Sequence, residues 1–406
     1  MFVLSLTSQG EWVDRCDYSD LLQELQGSPD PITLVLYIHG WKHGPDSLDR
    51  YKFEALVGQI ATKENELWIR ASQSTTRSDE PRRVVGIYIG WPGETVAIPV
   101  IRELTYWGRQ KAADRISQSG IVAKIISGIR SVRLGPRLST LHMPADRVDQ
   151  RRREDHFIYI GHSFGARILL NATAQLQIEA VERSHPGNLE RIVSRSNINP
   201  RRRDAAPYAC IDSGALSILL NPAVEAFTFS SFHNVRRSDH SFSSIQQPVM
   251  LVVASENDEA TKIAFPLGQA LGLNWHEKEL STIGNYPQFQ THTLQKEGHC
   301  DSRGDRWYDG FSTTTGICLQ RHSHDRPSFE DIQMGDSSPA NSLLTANQAA
   351  GDAERYPNYS GNPFLVARAS REVVNGHNGI WQPSFSEWLT EFIAKANAER
   401  KVHPCL

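Results

Sequence analysis

Short apolar, β-branched runs alternate along this chain with longer stretches in which apolar residues recur every three or four positions. That alternation predicts an α/β fold with a mostly parallel central sheet and helices on both faces, because each parallel strand needs a crossover of helical length to return. "ITLVLYIHGW" (Ile32 to Trp41) and "RVVGIYIGWPG" (Arg83 to Gly93) are continuous apolar runs stopped by glycine, the pattern of strands buried on both faces. Between them "DSLDRYKFEALVGQIATKENE" has helical spacing behind an Asp46 or Ser47 cap, and the polar linker "ASQSTTRSDEPRR" follows. Two further helical patterns, "PVIRELTYWGRQKAADRIS" and "IVAKIISGIRSVRL", fall in the segment 94–150, a candidate cover for a site. Strands are then predicted at His156 to Ile160, in "ALSILLNPAVEAF", in "PVMLVVASENDEAT" and at Phe364 to Ala369, before a final amphipathic helix "SFSEWLTEFIAKANAER". The whole of 1–406 reads as a single domain with at least six strands. The rhythm breaks over 275–360, which is rich in Gly, Ser, Thr, Asp and Asn, and this stretch is expected to be a long irregular insertion over one end of the sheet and a candidate lid.

Composition narrows the partners more than the fold. An apolar share of 39% and a charged share of 22% over 406 residues describe a folded, soluble domain. A net charge of −3 gives no general attraction to phosphate backbones or anionic lipid. The arginine triplets Arg151 to Arg153 and Arg201 to Arg203 each precede a predicted strand and read as solvated loops, so no nucleic-acid partner is expected. No run of eighteen apolar residues is present, and the opening "MFVLSLTSQG" is too short in its apolar run and lacks the basic lead-in of a secretory signal. Cys16, Cys210, Cys300, Cys318 and Cys405 are far apart with no CxxC pair. That spacing argues against a zinc site or a disulfide scaffold and for a reducing compartment, hence a cytoplasmic location; a Cys300 to Cys318 bridge is open to an exported chain.

The chemistry concentrates in "GHSFG", a G-x-S-x-G with Gly161, Ser163 and Gly165. It follows the strand His156 to Ile160 directly and precedes a helix from Ala166 to about Arg183. A nucleophile lifted off a sheet by a sharp strand-to-helix turn needs a strained backbone at Ser163 and very small neighbours at 161 and 165. The start of the helix directs N–H groups at the place where negative charge would develop, which makes the Phe164 N–H one half of an oxyanion hole.

"YIHGW", "GHSFGA", "LLNPAVEA", "SENDEAT" and "NGHNGIW" together resemble the α/β-hydrolase superfamily of serine esterases and lipases, over most of the chain outside the insertion. "GWPGE", "LLNPAVEA" and "SENDEATKIAFP" look like a branch of bacterial and fungal hydrolases of poorly defined substrate. The resemblance implies a triad in the order serine, acid, histidine, since a hydroxyl attacks at neutral pH only when an imidazole oriented by a carboxylate takes its proton. Asp258 matches the acid's place after a late strand, with Glu256 in reserve and Glu259 opening the following helix. Of fifteen histidines, His377 lies on a glycine-flanked loop between a strand and the last helix, where the base belongs; His299, His322 and His324 are the alternatives. The second oxyanion donor is expected from "HGWKHG": the Trp41 N–H, with Gly40 allowing close approach and His39 structural; the HGGG form is absent. Gly40, His162 and Trp91 are the candidate substrate-binding residues, the His162 side chain itself being expected to point away from Ser163. Trp41, Trp91, Tyr106 and Trp107 are candidate pocket walls.

The expected function is hydrolysis of a small-molecule carboxylic ester through an acyl-serine, with no metal and no organic cofactor. A lipase or phospholipase with 275–360 as its lid, and a catalytically silent binding protein on the same fold, are the alternatives.

Overall fold

Strands that are mostly apolar and buried at every position need cover on both faces, and the chain supplies it. The computed structural model describes residues 1–41, 43–74, 81–93, 102–134, 155–184, 214–237, 242, 246–265, 276–299, 311–321 and 363–402. Ten strands form one sheet: β1 (Phe2–Ser5), β2 (Ile32–Ile38), β3 (Arg83–Gly90), β4 (His156–His162), β5 (Ala215–Leu220), β6 (Met250–Ser255), β7 (His292–Lys296), β8 (Phe311–Ser312), β9 (Ile317–Arg321) and β10 (Phe364–Ala369). Their order is β1-β3-β2-β4-β5-β6-β10-β7-β9-β8, parallel from β1 to β7 and antiparallel in the β7–β9 and β9–β8 pairs.

Period two along the strands sorts the core into two layers. Leu34, Leu36 and Ile38 of β2 join Phe157 and Tyr159 of β4 on one face. That face is covered by α1 (Cys16–Gly27), α3 (Arg102–Gln118), α4 (Ile121–Leu134) and α5 (Phe164–Ser184). Val35 and Tyr37 join Ile158 and Ile160 on the other, beneath α2 (Leu48–Ser74) and α7 (Pro383–Val402). A short α6 (Ser230–Arg237) follows β5. The mostly parallel sheet with helices on both faces is therefore the architecture found. The two helices expected within 94–150 are α3 and α4, which belong to the layer on the first face; 94–101 and 135–154 lie outside the described residues.

Four strands were not expected. The opening apolar run is β1, paired in parallel with β3. Part of the supposed irregular insertion is ordered sheet: β7, β8 and β9 extend it beyond β10. β7 and β9 bury only some of their residues and carry polar ones such as Gln295, Lys296, Gln320 and Arg321, so they lack the continuous apolar run that marks the central strands. The remaining parts of that stretch, 300–310 and 322–360, lie outside the described residues, and the lid expectation lies there with them.

Cys318, buried on β9, is disulfide-bonded to a partner outside the described residues, whereas Cys16 is a free, exposed thiol. That bond runs against the expected reducing compartment, in which thiols stay unpaired. Among the described residues no helix is long and apolar enough to cross a membrane.

The chain leaves β2 for β3 on one side and later returns to β4 on the other. In open parallel sheets the crevice beyond the carboxyl ends of strands at such a reversal is where ligands bind. The loop after β2 and the turn after β4 both open into it.

Candidate active site

Between the last residue of β4, His162, and the first of α5, Phe164, stands Ser163 alone. Its φ is +54°, a left-handed conformation that residues other than glycine seldom adopt. The turn is pinned on both sides: the Ser163 N–H donates to the Leu220 carbonyl (3.0 Å), and its carbonyl accepts from the Ala166 (3.1 Å) and Ala223 (3.2 Å) amides. The glycines supply room. A Cβ on Gly161 would sit 2.6 Å from Ala166 Cα, one on Gly165 2.1 Å from the Ile38 carbonyl oxygen, and one on Gly40 2.8 Å from Ser163 Cβ.

β6 ends at Ser255, and three residues on the Asp258 side chain is fully buried. Its carboxylate accepts from the Ala260 (2.9 Å) and Thr261 (3.3 Å) amides, the Thr261 hydroxyl (2.8 Å) and His377 Nδ1 (2.8 Å). Burial alone would raise this carboxyl's pKa, but the His377 and Thr261 hydrogen bonds outweigh it and leave it below the usual carboxylate range. With Nδ1–H committed to Asp258, His377 is left with a lone pair on Nε2, on a side chain one-fifth exposed. Glu256, the reserve acid, accepts the Arg371 N–H (2.9 Å) instead, and Glu259 is exposed ahead of a π-helical turn at Ala260–Ala264.

Ser163, Phe164, Trp41 and His377 line one small open pocket together with Ala223, Ala260 and Thr261. Asp258 stands behind His377. No family model, no curated protein and no solved structure matches this chain. What the site can do therefore follows from its own geometry: a hydroxyl and an imidazole face one pocket, and a buried carboxylate holds the imidazole's far nitrogen.

Three candidate substrate contacts are placed elsewhere. Trp91 is fully buried; its amide N–H donates to His39 Nε2 (3.0 Å) and its indole N–H to the His39 carbonyl (2.9 Å). The two rings stack with centroids 5.5 Å apart and planes at 6°, so Trp91 anchors the loop after β2 and does not wall the pocket. His39 Nδ1 donates to the Gly40 carbonyl (2.8 Å), and burial pulls its pKa down to about 3, which keeps it neutral. His162 is also fully buried, its side chain turned beneath the His377 loop, with Nε2 donating to the His377 carbonyl (3.0 Å). Burial first, then the neighbouring His377, holds its pKa well below the ordinary histidine value. Gly40 is a spacer against Ser163 and not part of the pocket's lining. The side chains of Tyr106, Trp107 and His299, and the whole of His322 and His324, lie outside the described residues.

Residues that sequence reasoning passed over hold the His377 loop in place. Asn221, at φ +42°, accepts the Ser255 N–H (2.7 Å) and donates to the carbonyls of Gly376 (3.2 Å) and His377 (2.8 Å). Asn257 accepts the Gly376 N–H (2.8 Å), and the Ser255 hydroxyl donates to the Val374 carbonyl (2.6 Å). The only sequence signal for Asn221 is an amide residue between a strand and a proline in "LLNP", a turn signal with no catalytic content.

Proposed function

We propose that the chain is a serine hydrolase of the α/β-hydrolase type that cleaves small carboxylic esters through an acyl-enzyme. One observation carries the reading: a serine at φ +54° between strand and helix shares a pocket with a histidine whose Nδ1 is bound to a buried aspartate. The chemistry needs each part. His377 Nε2 takes the hydroxyl proton as Ser163 Oγ attacks the ester carbonyl, and the displaced electron pair moves onto the carbonyl oxygen. The Phe164 and Trp41 amides receive that oxyanion; Phe164 opens α5, whose first N–H groups have no acceptor inside the helix and whose dipole favours negative charge. Collapse expels the alcohol, which leaves with the proton held by His377. Water then attacks the acyl-serine with the same base, and the acid departs. Asp258 stays ionised throughout, orienting the ring and stabilising the imidazolium.

The test is labelling of the full chain by a fluorophosphonate probe, with turnover of p-nitrophenyl esters from acetate to palmitate. Wild type is expected to label and to favour the short esters. Ser163→Ala should lose the label and at least about a thousandfold in kcat while its melting temperature is unchanged. A wild type that does not label, or a Ser163→Ala variant that turns over normally, overturns the reading. Preference for palmitate presented in liposomes would move the substrate to lipid.

A further inference from the structure

The two ring nitrogens of the buried His162 have different surroundings. Nε2 lies 3.0 Å from the His377 carbonyl, which can only accept, so Nε2 carries the proton. Nδ1 then holds a bare lone pair, and it is buried with no hydrogen-bond partner. An orphaned buried acceptor asks for an explanation in the form of an ion or a water. One imidazole nitrogen donating to a carbonyl while the other is left bare is also how metal-binding histidines are held.

Asp49 supplies an independent observation. It is fully buried, yet no lysine, arginine or histidine forms an ion pair with it among the described residues. A buried carboxylate is ordinarily paired with a cation or coordinates a metal. Here two neutral donors orient it, the Tyr37 hydroxyl on Oδ2 (2.6 Å) and the Trp381 indole N–H on Oδ1 (2.5 Å), the kind of outer support that ligating carboxylates receive. His43 completes the set: one donor atom from each of His43, Asp49 and His162 lies within 4.8 Å of the other two.

We propose that His43, Asp49 and His162 bind one divalent transition-metal ion, Zn2+ in the first instance, behind Ser163. Two imidazoles and one carboxylate are a donor set that Zn2+ accepts, with a further position left for water. Zinc–ligand bonds of about 2.0–2.1 Å set tetrahedral donors about 3.4 Å apart, so no pair of these donors has to close in by more than about 1.4 Å. The ion would join the loop after β2, the first turn of α2 and the end of β4. This inference does not depend on the hydrolase reading.

The experiment uses untagged full-length protein stripped with chelator. Zn2+ affinity is measured by competition with a chromophoric chelator, and Co2+ is added separately to read its visible absorption. One equivalent of Zn2+ per chain and the intense bands of four-coordinate Co2+ are expected. His43→Ala and Asp49→Asn should each weaken binding more than about tenfold, with circular dichroism unchanged in at least the His43 variant. Absence of uptake in wild type overturns the proposal and leaves a water at Nδ1. Uptake that neither variant weakens overturns it too, because the ion then sits on other histidines.

Discussion

Asn221 makes three side-chain hydrogen bonds, two to the His377 loop and one with the Ser255 N–H at the end of β6, and it makes them from a left-handed backbone that asparagine tolerates better than most residues. Replacing it by glycine keeps that backbone available and deletes the amide, which leaves the His377 carbonyl with His162 alone. If the clamp positions His377, Asn221→Gly should lower kcat for a p-nitrophenyl ester about 10- to 100-fold with KM within twofold, at the cost of a few degrees in melting temperature. An unchanged kcat would show that the loop holds itself. Asn221→Ala should melt lower than Asn221→Gly, since it must also bear a positive φ costing about 1–2 kcal/mol. At this scale the sequence was legible where the demand is local. A serine on a sharp strand-to-helix turn between glycines follows from steric need at adjacent positions. The placement of Trp91, and of the His162 side chain away from Ser163, follows from strand register. The period of two aligns His162, the last residue of β4, with Ile158 and Ile160, and Trp91, one residue past β3, with Ile87 and Ile89, so both side chains turn into the core layers and not to the crevice.

Arg133 lies in the last turn of α4, and its guanidinium meets Asp155, immediately before β4, in a two-pronged pair at 2.7 and 2.8 Å. Both side chains are fully buried. The same guanidinium donates to the carbonyls of Leu25, Ser28 and Asp30, at the end of α1 and on the approach to β2, while Asp155 also accepts the Ile32 N–H. Four elements therefore share one ion pair. Taking away one partner strands a charge in the core, so Arg133→Leu should destabilise by about 3–5 kcal/mol. Replacing both residues by leucine should recover part of that loss, because the penalty comes from the unpaired charge and not from the missing attraction. Urea unfolding of the two variants beside wild type checks this; a single variant within about 1 kcal/mol of wild type would refute it. The helices that carry these contacts were legible, since α3 and α4 begin and end within a few residues of their helical patterns. β7 and β9 were not, because Gln295, Lys296, Gln320 and Arg321 break up their short apolar runs and leave little apolar signal.

Periodicity names elements but says nothing of their order in a sheet. That β4 lies beside β2 brings Gly40 against Ser163 and puts His43 and Asp49 within reach of His162, residues far apart in the chain. The same assembly buries groups that must change charge in acid, which makes the stability of the whole molecule depend on pH. His39, with a folded pKa near 3 against an ordinary 6.5, is neutral in the folded chain and takes up a proton on unfolding anywhere between those values. Unfolded chains then bind more protons, so the stability His39 contributes is complete above about pH 6.5 and is lost as pH falls toward 3. Glu64, buried with hydrogen bonds from Thr33 and Asn397, has its pKa lowered from 4.5 to about 2: burial pushes it up, but His156, Arg82 and Thr33 outweigh that. Its contribution is present above about pH 4.5 and disappears as pH falls toward 2. Between pH 7 and 5 the buried histidines act, and His39 alone should remove about 2 kcal/mol of unfolding free energy, with His162, also held well below the ordinary value, adding a loss in the same direction; below pH 4.5 the carboxylate adds its share. Urea midpoints at pH 8, 7, 6, 5 and 4 should trace that course, and His39→Asn should flatten the segment between 7 and 5 by close to one proton. A profile level from pH 8 to 5 in wild type would mean that His39 is not held neutral beneath the loop that carries Trp41.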